Sequence, residues 1–191
     1  MIAFCWIAVF VLLQSFQIYL SNNKLSLDNL TIDYSKVYSF YQPKANKGDA
    51  YAQGILGSLY YNGKGVERNL EQALYWLQKS ADQEDSNGQY VLGMMYYNGD
   101  GVKKDLHKAS YLWARSSYYN AEAGYKVGMM YYKGEGVTKN LKYAYHFLDS
   151  AADKNHQEAK EKLKMLSWGK EIEKEMQKKK KYYEYYSKWK K

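Results

Sequence analysis

Between Ala50 and Ala81 the small and the bulky apolar residues recur at steps of three and four, the spacing of one face of a helix. A glycine-rich break divides the run. The pattern predicts one helix over Ala50–Asn62 and a second over Leu70–Ala81. The arrangement then returns twice. Gly57, Gly93 and Gly128 are separated by 36 and 35 residues, and at that offset many other positions agree. Ala52, Gly88 and Ala123 are small; Leu56, Leu92 and Val127 are apolar; Tyr60, Tyr96 and Tyr131 coincide, as do Ala73, Ala109 and Ala144. A bulky pair closes each unit: Trp76–Leu77, Leu112–Trp113 and Phe147–Leu148. A period of this length marks a stack of helix pairs.

The break reads YYNGKGV, YYNGDGV and YYKGEGV in turn. A Gly-x-Gly loop invites comparison with phosphate-binding loops, but anions bind at helix N-termini and these glycines follow a helix C-terminus, where the dipole is negative. Asp100 and Glu135 inside two of the loops add repulsion. Turn formation accounts for the pattern better. Gly63, Gly99 and Gly134 stand where a positive φ ends a helix, and Gly65, Gly101 and Gly136 let the short connection turn. Asn69, Asp105 and Asn140 precede the second helices as N-caps. Gly57, Gly93 and Gly128 lie inside the first helices, at a cost of about 1 kcal/mol each relative to alanine. They are expected where two helices approach closely. The tyrosines Tyr60, Tyr96 and Tyr131 should point inward.

The stretch AQGILGSLYYNGKGVERNLEQALYWLQKSA resembles a Sel1-like repeat, a relative of the tetratricopeptide repeat. The second unit supplies Gln89, Tyr90, Leu92, Gly93, Tyr96, Gly99, Gly101, Val102, Asp105, Lys108 and Ala109 at the positions of the family pattern. Gly54 stands where the family has tyrosine, and Gly124 where it has glutamine. The resemblance implies an all-α, α/α superhelical solenoid, and the apolar run at the N-terminus places a hydrophobic helix before it. Its units span 49–84, 85–119 and 120–155. Residues 25–48 read as a linker with a degenerate half-repeat, 156–168 as a capping helix and 169–191 as a basic Lys/Tyr-rich tail.

The segment Ile2–Leu20 is apolar except for Gln14, Ser15 and Gln17, and as a helix would be roughly 28 Å long. We read residues 1–24 as a signal-anchor or a signal peptide, with the following domain exported: periplasm, envelope or secretory pathway. The single cysteine, Cys5, excludes an intramolecular disulfide and a cysteine-based zinc site. Hydrophobic residues make up 46% of the 191, enough for a core. Of the net charge of +8, +5 falls between Lys170 and Lys191.

No nucleophile motif or metal-ligand spacing is present. His107, His146 and His156 do not converge in the repeat register. We expect no catalytic residue, no metal and no cofactor. The resemblance implies a protein-interaction scaffold, of the kind serving membrane-linked assemblies, quality control or the bacterial envelope. An effector-binding immunity protein is a sharper variant. The family's first helices line the concave face. Mapped here, that face carries Tyr61, Asn62, Met94, Tyr97, Asn98, Met129, Tyr132 and Lys133, and a protein or peptide would lie along it. The same tyrosines could instead pack between units. A monomeric solenoid is expected, with the membrane reached through residues 2–20 and nucleic acid disfavoured. The alternative is a surface protein acting through its basic aromatic tail on anionic lipid or an acidic partner.

Overall fold

The computed structural model describes residues 32–165. The apolar N-terminal segment and the basic tail lie outside them. Eight α-helices and no strand occur among the described residues: α1 (Tyr34–Asn46), α2 (Ala50–Asn62), α3 (Leu70–Asp82), α4 (Ser86–Asn98), α5 (Leu106–Ser116), α6 (Ala121–Lys133), α7 (Leu141–Asp153) and α8 (Gln157–Met165). None of these is long and apolar enough to cross a membrane. The helices form a zigzag in which each packs on its sequence neighbours, and α2 also packs on α4.

The two helices of a pair are made differently because they are buried differently. Each first helix lies between two second helices, so α4 buries Gly88, Gln89, Val91, Leu92, Gly93 and Met95 around most of its circumference. The second helices are one-sided. In α3 the buried residues Ala73, Leu77, Ser80 and Ala81 fall on a single stripe, with the rest open to water. α2 and α4 touch, whereas α3 and α5 do not pack on one another, so over the first two units the first helices lie on the inner side.

Both ends of every connection are tied. Gly63, Gly99 and Gly134 adopt φ of 65°, 86° and 75°, and the N–H of Gly99 returns to the Met95 carbonyl at 2.8 Å. The side chains of Asn69, Asp105 and Asn140 accept hydrogen bonds from the backbone N–H of Gln72, Lys108 and Tyr143. The first helices have caps of their own that sequence reading passed over. Asp49, Asp85 and Asn120 accept from the N–H of Ala52, Gly88 and Ala123.

The second glycine of each loop has a further reason beyond the turn. A Cβ on Gly136 would lie 2.3 Å from the Leu106 Cβ, and one on Gly101 would lie 2.9 Å from that of Leu70. Each loop thus sits on the start of the preceding unit's second helix. Gly65 makes the same approach to the backbone of Tyr34, which opens α1, so α1 occupies the place of a second helix.

One expectation is corrected. Tyr60, Tyr96 and Tyr131 are half-buried and not interior. The fully inward position is the preceding residue, Leu59, Met95 or Met130, at 5%, 0% and 2% exposure. Tyr60 meets Tyr38 of α1, hydroxyl to hydroxyl at 2.9 Å, while Tyr96 and Tyr131 lie over the second helix of their unit. Tyr131 stacks on Phe147 with ring centres 5.8 Å apart, and Tyr96 lies beneath the Lys108 ammonium, 4.1 Å from its ring centre.

Candidate functional site

The second tyrosine of each pair links one unit to the next. The Tyr61 hydroxyl donates to Asp100 Oδ2 at 2.7 Å, and the Tyr97 hydroxyl donates to Glu135 Oε1 at 2.8 Å. The acid within Gly-x-Gly is therefore the acceptor for the tyrosine of the unit before. Both tyrosines remain half-exposed, so they bridge units and border the surface together. Asn98 donates to the same Asp100 oxygen at 3.0 Å. Asn62 turns back to the Ser58 carbonyl at 2.8 Å. Tyr132 carries Lys162 and Lys139 over its ring at 5.0 and 5.8 Å.

Beyond Tyr97 the first helices separate. α4 and α6 do not make the contact that α2 and α4 make, and a hollow of about 170 Å³ opens beside them. Its walls are Tyr97, Trp113, Tyr125, Met129 and Met130, with Lys126, Lys133 and Glu135 at the polar edge. Trp113, only 2% exposed, is pinned by its Nε1–H to the Tyr90 carbonyl at 3.0 Å, and its ring lies 5.1 Å from that of Tyr97. Met94 backs the same cluster from α4. Of the eight residues mapped to the groove, Tyr97, Met129 and Lys133 thus meet in one place. Tyr61 and Asn62 lie one unit earlier, Asn98 turns to Asp100 beside Tyr61, and Tyr132 lies among Lys139 and Lys162.

A wider depression of about 600 Å³ runs along the N-terminal ends of the first helices, past Tyr51, Asn87, Glu122 and His156. Helix N-termini attract anions only where their N–H groups are free, and the four starts here are capped by side chains. His156 stands at the cap position of α8. Its Nδ1 accepts from the Ala159 N–H at 3.3 Å, which places the ring proton on Nε2, and that N–H donates to Glu122 Oε2 at 2.8 Å. Tyr125 stacks on the imidazole at 4.7 Å. Sequence reading missed this pair, since 34 residues separate its members, but His156 follows Asn120 by 36 residues and the repeat spacing marks it as a cap. No group of three possible metal ligands occurs among the described residues.

These contacts shift protonation in both directions. Burial pushes the Glu122 carboxyl up, but the hydrogen bonds from His156 and Lys126 outweigh it and hold it below its ordinary value. The Tyr61 and Asn98 donors lower Asp100. The hydrogen bond to Glu135, with burial, raises the Tyr97 phenol. Burial, aided by the nearby Glu122 charge, raises Tyr90 to about 12. Burial and the hydrogen bond with Tyr38 raise Tyr60 to about 12.

The sign of each effect follows from linkage. A depressed carboxyl contributes stability above its unfolded pKa, and that contribution is lost on acidification. A raised phenol contributes stability below pH ~10, and that contribution is lost between there and about 12. Melting temperature should therefore hold a plateau near neutrality and fall on both sides. Tyr90→Phe should leave the neutral value unchanged and make the alkaline fall shallower. Thermal denaturation at several values from pH 8 to about 12 checks this, and a melting temperature flat across that range contradicts it.

The pattern of the Sel1 repeat matches residues 50–85, 86–118 and 121–156, more than half of the chain. No curated protein sequence matches. Solved structures do. A Sel1 repeat protein from Oxalobacter formigenes is 32% identical, with a TM-score of 0.61, over 67% of this chain and 97% of its own. The protective antigen c5321 of uropathogenic Escherichia coli, described as an SLR fold, is 29% identical with a TM-score of 0.60, over 64% of this chain and 26% of its own. Helicobacter pylori cysteine rich protein B is 26% identical with a TM-score of 0.53, over 66% of this chain and 92% of its own. Three consecutive matched units and the inter-unit loop contacts lead to one conclusion: the chain belongs to the Sel1 repeat family.

Proposed function

We propose that this chain is a non-catalytic adaptor that holds another protein along the inner face formed by its first helices. Sel1 repeat proteins are in general scaffolds for protein–protein interaction. The observation that carries the reading here is the hollow beside α4 and α6. Aromatic and methionine side chains wall it, two lysines edge it, and Trp113 gives it a fixed floor. Tyrosine, tryptophan and methionine supply large contact areas and suit protein partners. Under this reading the units 49–84, 85–119 and 120–155 present one continuous surface, with residues 25–48 and 156–168 closing its ends. The solenoid acts as a monomer, and residues 2–20 hold it at a membrane with the repeats outside the cytoplasm. Blocking a secreted effector is one role such a surface would serve.

Site-specific photo-crosslinking tests the face. A benzophenone side chain at Met129 or Lys133 should capture one defined partner in the native cell, identified by mass spectrometry. The same group at His146, exposed on α7, should not. Equal capture of that partner from both positions would remove the assignment of the inner face.

A further inference from the structure

α1 stands in the place of a second helix, yet among the described residues it has no first helix of its own, and α2 is the helix it packs on. Its inner side goes into that contact: Ala45 is buried with Ala52 and Leu56 of α2, and Tyr38 packs against them. Three rings are left at the surface, touching one another. Phe40 meets Tyr41 edge to face with ring centres 5.0 Å apart, and Tyr41 meets Tyr51 of α2 at 5.9 Å. Phe40 is 58% exposed and Tyr51 54%. The Lys44 ammonium joins the group, 3.9 Å from the ring centre of Phe40 and 5.6 Å from that of Tyr41. Single exposed apolar residues are ordinary, but a contiguous aromatic group is the kind of surface that a partner covers. The charges around it balance. Lys36, Lys44 and Lys47 are exposed, Asp33 and Asp49 flank the helix, and Asp85 shares the rim of the wider depression with Tyr51. Glu84, next to the Gln83 that bonds Gly48, is paired with Arg115. Lys64 lies over Tyr34 at the start of α1. The rings, and not a charge excess, therefore decide what the surface fits.

We propose that this group is a membrane-interface anchor: Phe40, Tyr41 and Tyr51 rest among lipid headgroups, with the Lys44 ammonium reaching back to water. This rests on the reading above that residues 2–20 hold the chain at a membrane. Rings with a polar tip and lysines with a long apolar stem favour that depth. Thirteen residues separate Leu20 from Tyr34, a stretch of at most about 46 Å when extended. α1 is the first described helix after that run, and a tether of this length supplies an effective concentration on the order of millimolar. Three rings are a weak anchor for a free protein, but under such a tether a weak contact is enough. Because the charges balance, the contact needs no anionic lipid and persists in salt. The basic tail, by contrast, would require anionic lipid.

The test uses the full chain, with Cys5→Ser and Ser39→Cys, reconstituted into vesicles of phosphatidylcholine, which leave the basic tail without an anionic surface. Ser39 is exposed and precedes Phe40. A nitrobenzoxadiazole label at position 39 is read with and without a lipid that carries a nitroxide on its headgroup. The control carries the label at His146→Cys, exposed on α7. The nitroxide should quench the label at 39 at least about twofold more than the label at 146, and equally at about 50 and about 500 mM salt. Phe40→Ser with Tyr51→Ser should bring the quenching at 39 down to that of the control. Circular dichroism should stay unchanged, because both side chains are exposed.

Equal quenching at the two positions overturns the inference and leaves the rings to a protein partner. Quenching at 39 that survives Phe40→Ser with Tyr51→Ser also overturns it, since the tether alone would then account for the proximity. Loss of the quenching at high salt transfers the contact to the lysines and overturns the aromatic account. Flotation of the same vesicles after an alkaline wash separates this inference from the reading of residues 2–20. If the wash strips the chain from the vesicles, that reading falls. Ring-dependent quenching at 39 before the wash then still upholds the α1 anchor, and its absence ends both.

Discussion

Replacing Gly93 by alanine should destabilise the protein, although alanine is the better helix former by about 1 kcal/mol. A Cβ at Gly93 would stand 2.5 Å from Trp113 Nε1 and 2.6 Å from its Cδ1. The indole has little freedom to retreat, being buried and hydrogen-bonded to the Tyr90 carbonyl at 3.0 Å. Overpacking of this kind costs about 1–3 kcal/mol, enough to outweigh the propensity gain. Gly93→Val adds two more carbons and should lie at the upper end or beyond. Gly124 supplies the contrast. Its nearest neighbours would be the Ala151 Cβ at 3.3 Å and the Phe147 carbonyl oxygen at 3.4 Å, contacts that a small shift relieves. Gly124→Ala should therefore be neutral or stabilising by up to about 1 kcal/mol. Urea denaturation of the two alanine variants decides the matter. Equal effects at both positions would mean that close approach to Trp113 is not why Gly93 is glycine.

Trp113→Ala should have the largest effect of any single change at the groove. The side chain is 2% exposed and joins Ala123, Val127 and Met130 in one cluster. Truncating such an aromatic costs about 3–5 kcal/mol through lost burial and the cavity left behind. It also leaves the Tyr90 carbonyl without its side-chain donor. Trp113→Phe keeps most of the ring and loses the hydrogen bond, so it should cost about 1–2 kcal/mol. Because the indole is also the floor of the hollow, the alanine change should lower partner affinity even at temperatures where the chain remains folded. A full loss of stability with unaltered affinity would place the binding surface elsewhere.

The fold was legible because the same choices are written three times. A positive-φ glycine, a cap and an apolar residue at a fixed offset agree in each unit, and the helices follow. The glycines in the first helices were equally readable: Gly57, Gly93 and Gly128 each face a bulky residue of the paired helix, Leu77, Trp113 and Leu148. The site was only partly legible. Tyr61 and Tyr97 were found by repetition, but whether they faced a groove or the next unit depended on a partner 39 or 38 residues away. Asp100 and Glu135 served in the sequence only as arguments against phosphate, and their role as acceptors needed the stacking of units. The inward direction of the tyrosine pairs was misjudged by one residue, since a helix turn of about 100° separates buried Met95 from half-buried Tyr96.

The central claim is that a partner lies on the inner face of the first helices. Amide hydrogen exchange of the full chain, with and without the partner captured by crosslinking at Met129, tests it most directly. The account predicts added protection in the Gly-x-Gly loops and in the C-terminal turns of α4 and α6, with α3, α5 and α7 unchanged. Protection confined to the outward faces of α3, α5 and α7, with the loops and first helices unaffected, would contradict it.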